Sequence, residues 1–141
     1  MKDPLPQPGG EASETREKLL ALRTGLLRLH KVLLEFERRD YERANGRVSS
    51  GELYRLVVSD AQFAWLHNIS EFVVRLDELL DGEAVSPAEV SELCSVSRKM
   101  FAASESGDTF QKKYFHAIQK DPAVAMELAG LARLFAEADP G

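Results

Sequence analysis

The sequence predicts an all-α fold, arranged as an antiparallel helical bundle of four main helices plus one or two short helices. Apolar residues recur at helical spacings of three and four, and no apolar–polar alternation persists over a strand length. The six prolines are confined to the two ends of the chain, Pro87 and Pro122, so long segments contain no helix-breaking proline. Because the predicted loops are short, we expect consecutive helices to be antiparallel neighbours.

Composition narrows the domain organisation and the classes of partner. The chain has 141 residues, of which 44% are hydrophobic and 29% charged, enough for one domain with a core. We interpret residues 1–12 as a disordered tail rich in proline and glycine, and residues 13–139 as a single helical-bundle domain. The formal net charge of −5 disfavours a general phosphate-binding surface, so we expect no nucleic-acid partner.

The sequence also predicts a cytoplasmic protein without a membrane partner. No apolar run approaches the ~20 residues of a membrane span, and residues 1–10 lack the apolar segment of a secretory signal. Cys94 is the only cysteine, which excludes an internal disulfide and fits a reducing compartment. Since Cys94 falls on the apolar side of its predicted helix, we expect it to be an inert core thiol.

The first predicted helix, residues 11–44, carries two apolar seams. One seam alternates spacings of three and four, as in a heptad pattern. Its members are Leu19, Leu22, Leu26, Leu29, Leu33 and Phe36. The second seam recurs every seven residues and consists of Leu20, Leu27, Leu34 and Tyr41. The pair Asn45-Gly46 ends the helix, because both residues tolerate the left-handed conformation of a C-cap.

A polar stripe runs between these two seams. It consists of Arg16, Arg23, His30 and Glu37, which repeat every seven residues. In one interpretation, the stripe lies between two neighbouring helices and stays solvent-exposed or is covered by the aliphatic parts of long side chains. In the other, it faces a partner subunit or a polar cleft, which partly buries His30 and Glu37 and lets His30 titrate near neutral pH. The predicted interaction residues are Arg23, His30, Glu37 and Tyr41.

Five further helices are predicted at residues 51–58, 61–80, 86–103, 109–120 and 122–138. Each begins at, or within two residues of, a residue type that caps helix N-termini. These caps are Ser49, Asp60, Ser86, Asp108 and Asp121. Three of them have a capping-box partner three residues later, namely Glu52, Glu89 and Gln111. Proline directly after Ser86 makes that start the clearest in the chain, because proline is favoured at the first helical position.

His67 and Glu71 lie one helical turn apart, a spacing that can bind a metal. Both fall on the hydrophilic face of their helix, opposite Trp65 and Phe72, which we expect in the core. The chain lacks the His-x-x-x-His and Glu-x-x-His patterns of helical metal centres, so we expect no metal and no cofactor. The alternative is a small-molecule- or metal-binding bundle with a site between helices one and three. Its ligands would be His30, Glu37, His67 and Glu71.

A family resemblance rests on two segments, LHKVLLEFERRDYERANGRVSSGELYRLVVSDAQFAWLHNISEFVVRLDELL and FQKKYFHAIQKDPAVAMELAGLARLF. Both resemble a family of small bacterial proteins, a domain of unknown function with the signature FAWL..LSE.....DE. The resemblance implies a compact, all-helical bacterial domain and no particular activity or partner. The matching polar and aromatic positions are His30, Glu37, Tyr41, Glu42, Trp65, Ser70, Glu71 and Asp77. His67-Asn68 replaces the Arg-Pro of that pattern, which weakens His67 as a ligand.

No catalytic residue is predicted, because no nucleophile–base pair or ligand set is visible, and a hydrolytic enzyme is therefore the least supported class. Lys112, Lys113 and Lys120 form a basic cluster that could hold an anion, but no glycine-rich phosphate loop accompanies them. The apolar arc of the first helix is wider than one neighbour needs. We predict a non-enzymatic protein that acts through protein contacts and forms a homodimer through its first helix.

Overall fold

The computed structural model describes residues 8–82, 85–102, 104 and 106–140. Within them the chain forms six α-helices and one 3₁₀ turn and contains no β-strand, which confirms the all-α prediction. The helices are α1 (Pro8–Asn45), α2 (Ser50–Ser59), α3 (His67–Asp81), α4 (Pro87–Met100), α5 (Thr109–Lys120) and α6 (Pro122–Ala138). The 3₁₀ turn, Ala64–Leu66, leads directly into α3.

Four of the predicted helix starts are confirmed, and at each one the capping side chain, Ser49, Ser86, Asp108 or Asp121, accepts a local backbone N–H. Ser86 and Glu89 form a complete capping box at α4, and Asp108 forms one with Gln111 at α5. At α2 the Ser49 hydroxyl accepts the backbone N–H of the residue three positions later, which is one half of the predicted box. Each bond satisfies a backbone donor that the helix itself leaves unpaired.

Three boundaries differ from the predictions by more than one residue. The helix α1 begins at Pro8, inside the predicted tail of residues 1–12, and residues 1–7 lie outside the described part of the chain. The predicted helix 61–80 begins as turns: Asp60 accepts the backbone N–H of Gln62 at 2.8 Å, and α3 follows only at residue 67. The predicted helix 86–103 ends at Met100.

The core forms around α1, which makes its most extensive contact with α6 and its next with α3. The whole leucine part of its first seam is buried: Leu19, Leu22, Leu26, Leu29 and Leu33. Arg16 hydrogen-bonds the carbonyl of Leu80 near the end of α3, whereas the ring of Tyr41 lies 5.8 Å from that of Phe63 just before α3. Hence α1 and α3 run antiparallel. None of the described helices is long and apolar enough to cross a membrane.

Candidate functional site

Most of the polar stripe of α1 lies along its contact with α3, and its last residue, Glu37, lies beside α5. Arg23 donates from Nε to Oδ1 of Asp77 at 2.7 Å, and both side chains stay partly exposed. His30 is half-buried, and Glu37 is buried with 6% of its surface exposed. The stripe residues Arg23, His30 and Glu37 therefore lie at contacts within one chain, as does Tyr41. Asp77 has the helix-to-helix hydrogen bond expected for a polar residue in an apolar segment.

The Arg23–Asp77 pair is bordered by exposed apolar side chains, which we call the α1–α3 rim: Leu20, Leu27 and Val74. Leu20 and Leu27 stand one helical turn before and after Arg23, and Val74 one turn before Asp77, so all three are neighbours of the pair. Their exposed fractions are 43%, 43% and 54%. The second seam of α1, unlike the first, is thus left partly open to solvent.

His30 and His67 lie close enough to interact electrostatically, where α1 passes the first turn of α3. Burial lowers the pKa of His30 below its ordinary value, and the neighbouring His67 lowers it further. His67 itself donates from Nε2 to the carbonyl of Val57 at 2.8 Å, which ties α2 to the first turn of α3. A charge on His30 is therefore less favourable in the folded protein than in the unfolded chain.

We expect the free energy of unfolding to fall as the pH drops below about 6.5, the ordinary histidine pKa. The unfolded chain takes up a proton at His30 there, while the folded chain resists it because its pKa is lowered. The contribution of neutral His30 to the free energy of unfolding is thus complete above the pKa of His30 in the unfolded chain. It is lost as the pH falls toward the lower pKa of His30 in the folded chain. Urea denaturation between about pH 5 and 8 measures how steeply the free energy of unfolding depends on pH, and His30→Gln should reduce this slope.

His116→Gln is the matched control for that experiment, because it removes a histidine from an exposed position on α5. The control should leave the acid slope as steep as in the wild type. An equal slope in the His30→Gln variant would show that His30 accepts its proton in the folded state as readily as in the unfolded state.

The carboxylate of Glu37 lies beside a cleft of about 310 Å³ between α1 and α5. We call this the Glu37 cleft. One wall comes from α1 with Glu37 and Asp40, and the other from α5 with Lys112, Lys113 and His116. The sequence indicated the basic cluster at Lys112 but did not connect it with the stripe, because only the tertiary packing brings α5 beside α1.

The alternative metal site is not assembled. In the part of the chain that the structure describes, no group of three or more histidine, cysteine, aspartate or glutamate side chains is placed to hold a metal ion. Of the four proposed ligands, His30 and His67 are neighbours, whereas Glu71 is exposed on α3 and Glu37 lines the cleft beside α5. One histidine pair is too small a ligand set for a protein zinc site.

Cys94 and Trp65 belong to the core, as predicted. Cys94 is buried with a free thiol, and its Sγ–H is oriented toward the carbonyl of Phe135 at 3.8 Å. Burial raises the pKa of this thiol, with Asp139 adding to the rise. Because the thiolate is the nucleophilic form, Cys94 is poorly suited to nucleophilic chemistry at neutral pH. The ring of Trp65 packs against that of Phe110, with 5.6 Å between the ring centres.

Comparison with known proteins assigns no family to the chain. No protein-family model matches it, and neither the curated proteins nor the solved structures contain a significant match. Functional proposals therefore rest on two surface features, the α1–α3 rim and the Glu37 cleft. The rim presents apolar side chains and the cleft presents charges, so each suits a different class of partner.

Proposed function

We propose that the chain is a non-enzymatic, cytoplasmic protein that acts through protein contacts and forms a homodimer through the α1–α3 rim. The proposal includes an antiparallel bundle built from the four longer helices and the bacterial family resemblance of the sequence. The observation that carries it is the incomplete burial of the second α1 seam. Leu20 and Leu27 are both 43% exposed, whereas the leucines of the first seam are buried completely.

The geometry of the rim supports a symmetric contact. Twofold-related subunits place the same patch of each copy face to face, so the rim of one copy would cover the rim of the other. Apolar side chains would meet apolar side chains, and the Arg23–Asp77 pair would lie at the centre of the contact. An ion pair in that position favours a fixed register, because the apolar residues by themselves do not specify one.

Simultaneous replacement of Leu20 and Leu27 by glutamate is expected to convert the dimer to a monomer. In a twofold contact centred on Arg23 and Asp77, the glutamates of one copy lie close to those of the other, and burial of these unpaired charges is strongly unfavourable. We expect the dissociation constant to rise at least about 100-fold. Light scattering coupled to size-exclusion chromatography, over a concentration series, measures the change.

Met126→Glu is the matched control, because Met126 is 75% exposed on α6, away from the rim. This control should dimerise as the wild type does. The proposal fails if the wild-type chain remains monomeric up to about 1 mM, the weakest affinity relevant to such a contact. It also fails if Met126→Glu disrupts the dimer as strongly as the double replacement.

A further inference from the structure

Glu37 is the only charged residue that is buried within the described part of the chain. In that same part it forms no hydrogen bond and no ion pair, although buried carboxylates are rarely left unpaired. Its small exposed surface opens to the Glu37 cleft, which it lines. The carboxylate oxygens are not among the fully enclosed, unpaired atoms of the described residues, so they meet solvent on the cleft side. A bound donor can therefore reach Glu37 from inside the cleft.

Most other charges around the cleft are already occupied. Asp40 contacts Arg43 at 3.7 Å and accepts from Nε2 of Gln62 at 3.4 Å. Lys113 donates to the backbone carbonyl of Gln62 at 3.0 Å and lies 5.9 Å from the centre of the Trp65 ring. These bonds hold Asp40 and Lys113 in the walls of the cleft, and neither side chain forms an ion pair with Glu37 among the described residues.

Two groups on the basic wall remain available to a bound molecule. Lys112 is exposed and makes no ion pair or hydrogen bond among the described residues. His116 is also exposed, and its ring meets that of Phe36 edge-on at 5.8 Å, which fixes the ring at the side of the cleft. A free anion-binding group thus lies across the cleft from an unpaired carboxylate.

We propose that the Glu37 cleft binds a small zwitterion that carries a primary ammonium group and a carboxylate. The ammonium donates to Glu37, and the carboxylate accepts from Lys112 and His116 on the opposite wall. The two carboxylates and two lysines that line the cleft balance each other, so a ligand with no net charge matches better than a polyamine or a phosphate. A volume of about 310 Å³ suits an amino-acid-sized molecule.

The test uses three zwitterions of different length (glycine, 4-aminobutyrate and L-lysine) with butylamine and butyrate as single-charge controls. Binding is followed by amide chemical shifts in two-dimensional NMR spectra of the full chain. We expect at least one zwitterion to shift residues on both walls of the cleft. Butylamine and butyrate should each bind at least about tenfold more weakly, since each lacks one of the two charge contacts.

Two substitutions assign the two ends of the ligand. Glu37→Gln should weaken the zwitterion at least about tenfold while the free protein stays folded, because the charge that the ammonium group contacts is removed. Lys112→Ala should weaken the zwitterion but not butylamine. Glu71→Gln, which removes an exposed carboxylate from α3, should leave binding unchanged.

Several results overturn the proposal. One is the absence of any shift around the cleft with all three zwitterions up to about 10 mM, well above a millimolar dissociation constant. Another is butylamine binding as tightly as the zwitterions, which would reduce the cleft to an ammonium site. The third is unchanged binding in a folded Glu37→Gln variant. None of these results depends on the oligomeric state of the protein.

Discussion

Replacement of Tyr114 with alanine is expected to lower the free energy of unfolding by about 4 kcal/mol, the usual loss for a large buried aromatic side chain. Tyr114 lies on α5 and is completely buried. Its ring stacks on that of Phe110 at 5.5 Å and contacts that of Phe101 at 5.6 Å. Truncation would open a cavity between α5 and the residue that follows α4, and the neighbouring rings can fill it only in part.

Replacement of the same residue with phenylalanine is expected to act in the opposite direction. The hydroxyl of Tyr114 is buried and has no hydrogen-bond partner among the described residues. Burial also raises the pKa of this phenol, so it stays protonated and carries an unsatisfied donor. Because an unpaired buried polar group costs about 1–3 kcal/mol, Tyr114→Phe should stabilise the protein by about 1 kcal/mol.

Urea denaturation of the two Tyr114 variants and the wild type measures both effects. Tyr54→Phe is the matched control, because Tyr54 is 71% exposed and its hydroxyl is hydrated in both states. This control should change stability by less than about 0.5 kcal/mol. Loss of stability in Tyr114→Phe would contradict the prediction and would mean that the hydroxyl bonds a buried water in solution.

The helices were predictable because their signals are local in the sequence. The predicted helix 109–120 has the observed bounds, and the predicted helix 122–138 also agrees. Capping boxes at Ser86 and Asp108 act within four residues of chain and need no tertiary contact. At Asp60 the cap signal placed the helix start too early, since turns and the 3₁₀ turn Ala64–Leu66 precede α3.

The roles of the two α1 seams were less predictable, because both have helical periodicity. The structure buries the seam that contains Leu22 and leaves Leu20 and Leu27 partly exposed. The difference comes from where α3 and α6 lie around α1, which depends on contacts between distant residues. The pair between Arg23 and Asp77 joins positions 54 residues apart. A single sequence contains no local signal for such a pairing.

The Glu37 cleft shows the same limit for a functional site. The sequence marked Glu37 as an unusual charge within an apolar arc, and it marked Lys112 as part of a basic cluster. Their placement on opposite walls follows from the packing of α5 against the end of α1 and the turn before α3. Residue type and spacing identified the chemical groups, but the fold determined which of them lie together.

Replacement of Gly25 with valine is expected to lower the free energy of unfolding by about 3 kcal/mol, the upper part of the usual range for overpacking. Gly25 lies where α1 crosses α6. A Cβ atom at this position would lie 3.0 Å from Cδ1 of Leu134 and 3.1 Å from Cδ1 of Leu131. Valine adds two further methyl groups, which would push α1 and α6 apart. The contact between these two helices is the most extensive in the described part of the chain.

Alanine at Gly25 and alanine at Gly130 separate the effect of steric crowding from that of helix propensity. Both changes add the same Cβ atom, but only the one at position 25 meets neighbouring side chains. A Cβ at Gly130, inside α6, meets no atom within 4 Å. Gly130→Ala should therefore stabilise the protein by about 1 kcal/mol, the full propensity difference between glycine and alanine. At Gly25 the same gain is offset by the two leucine methyl groups, so Gly25→Ala should gain nothing or lose stability.

Chemical denaturation of Gly25→Val, Gly25→Ala and Gly130→Ala under one set of conditions compares the three effects. The predicted order of stability is Gly130→Ala, then the wild type or Gly25→Ala, then Gly25→Val. Equal stabilisation by alanine at both positions would contradict the close crossing, because the leucine side chains would then accommodate a Cβ without cost. Glycine at position 25 would in that case not be required for the packing of α1 on α6.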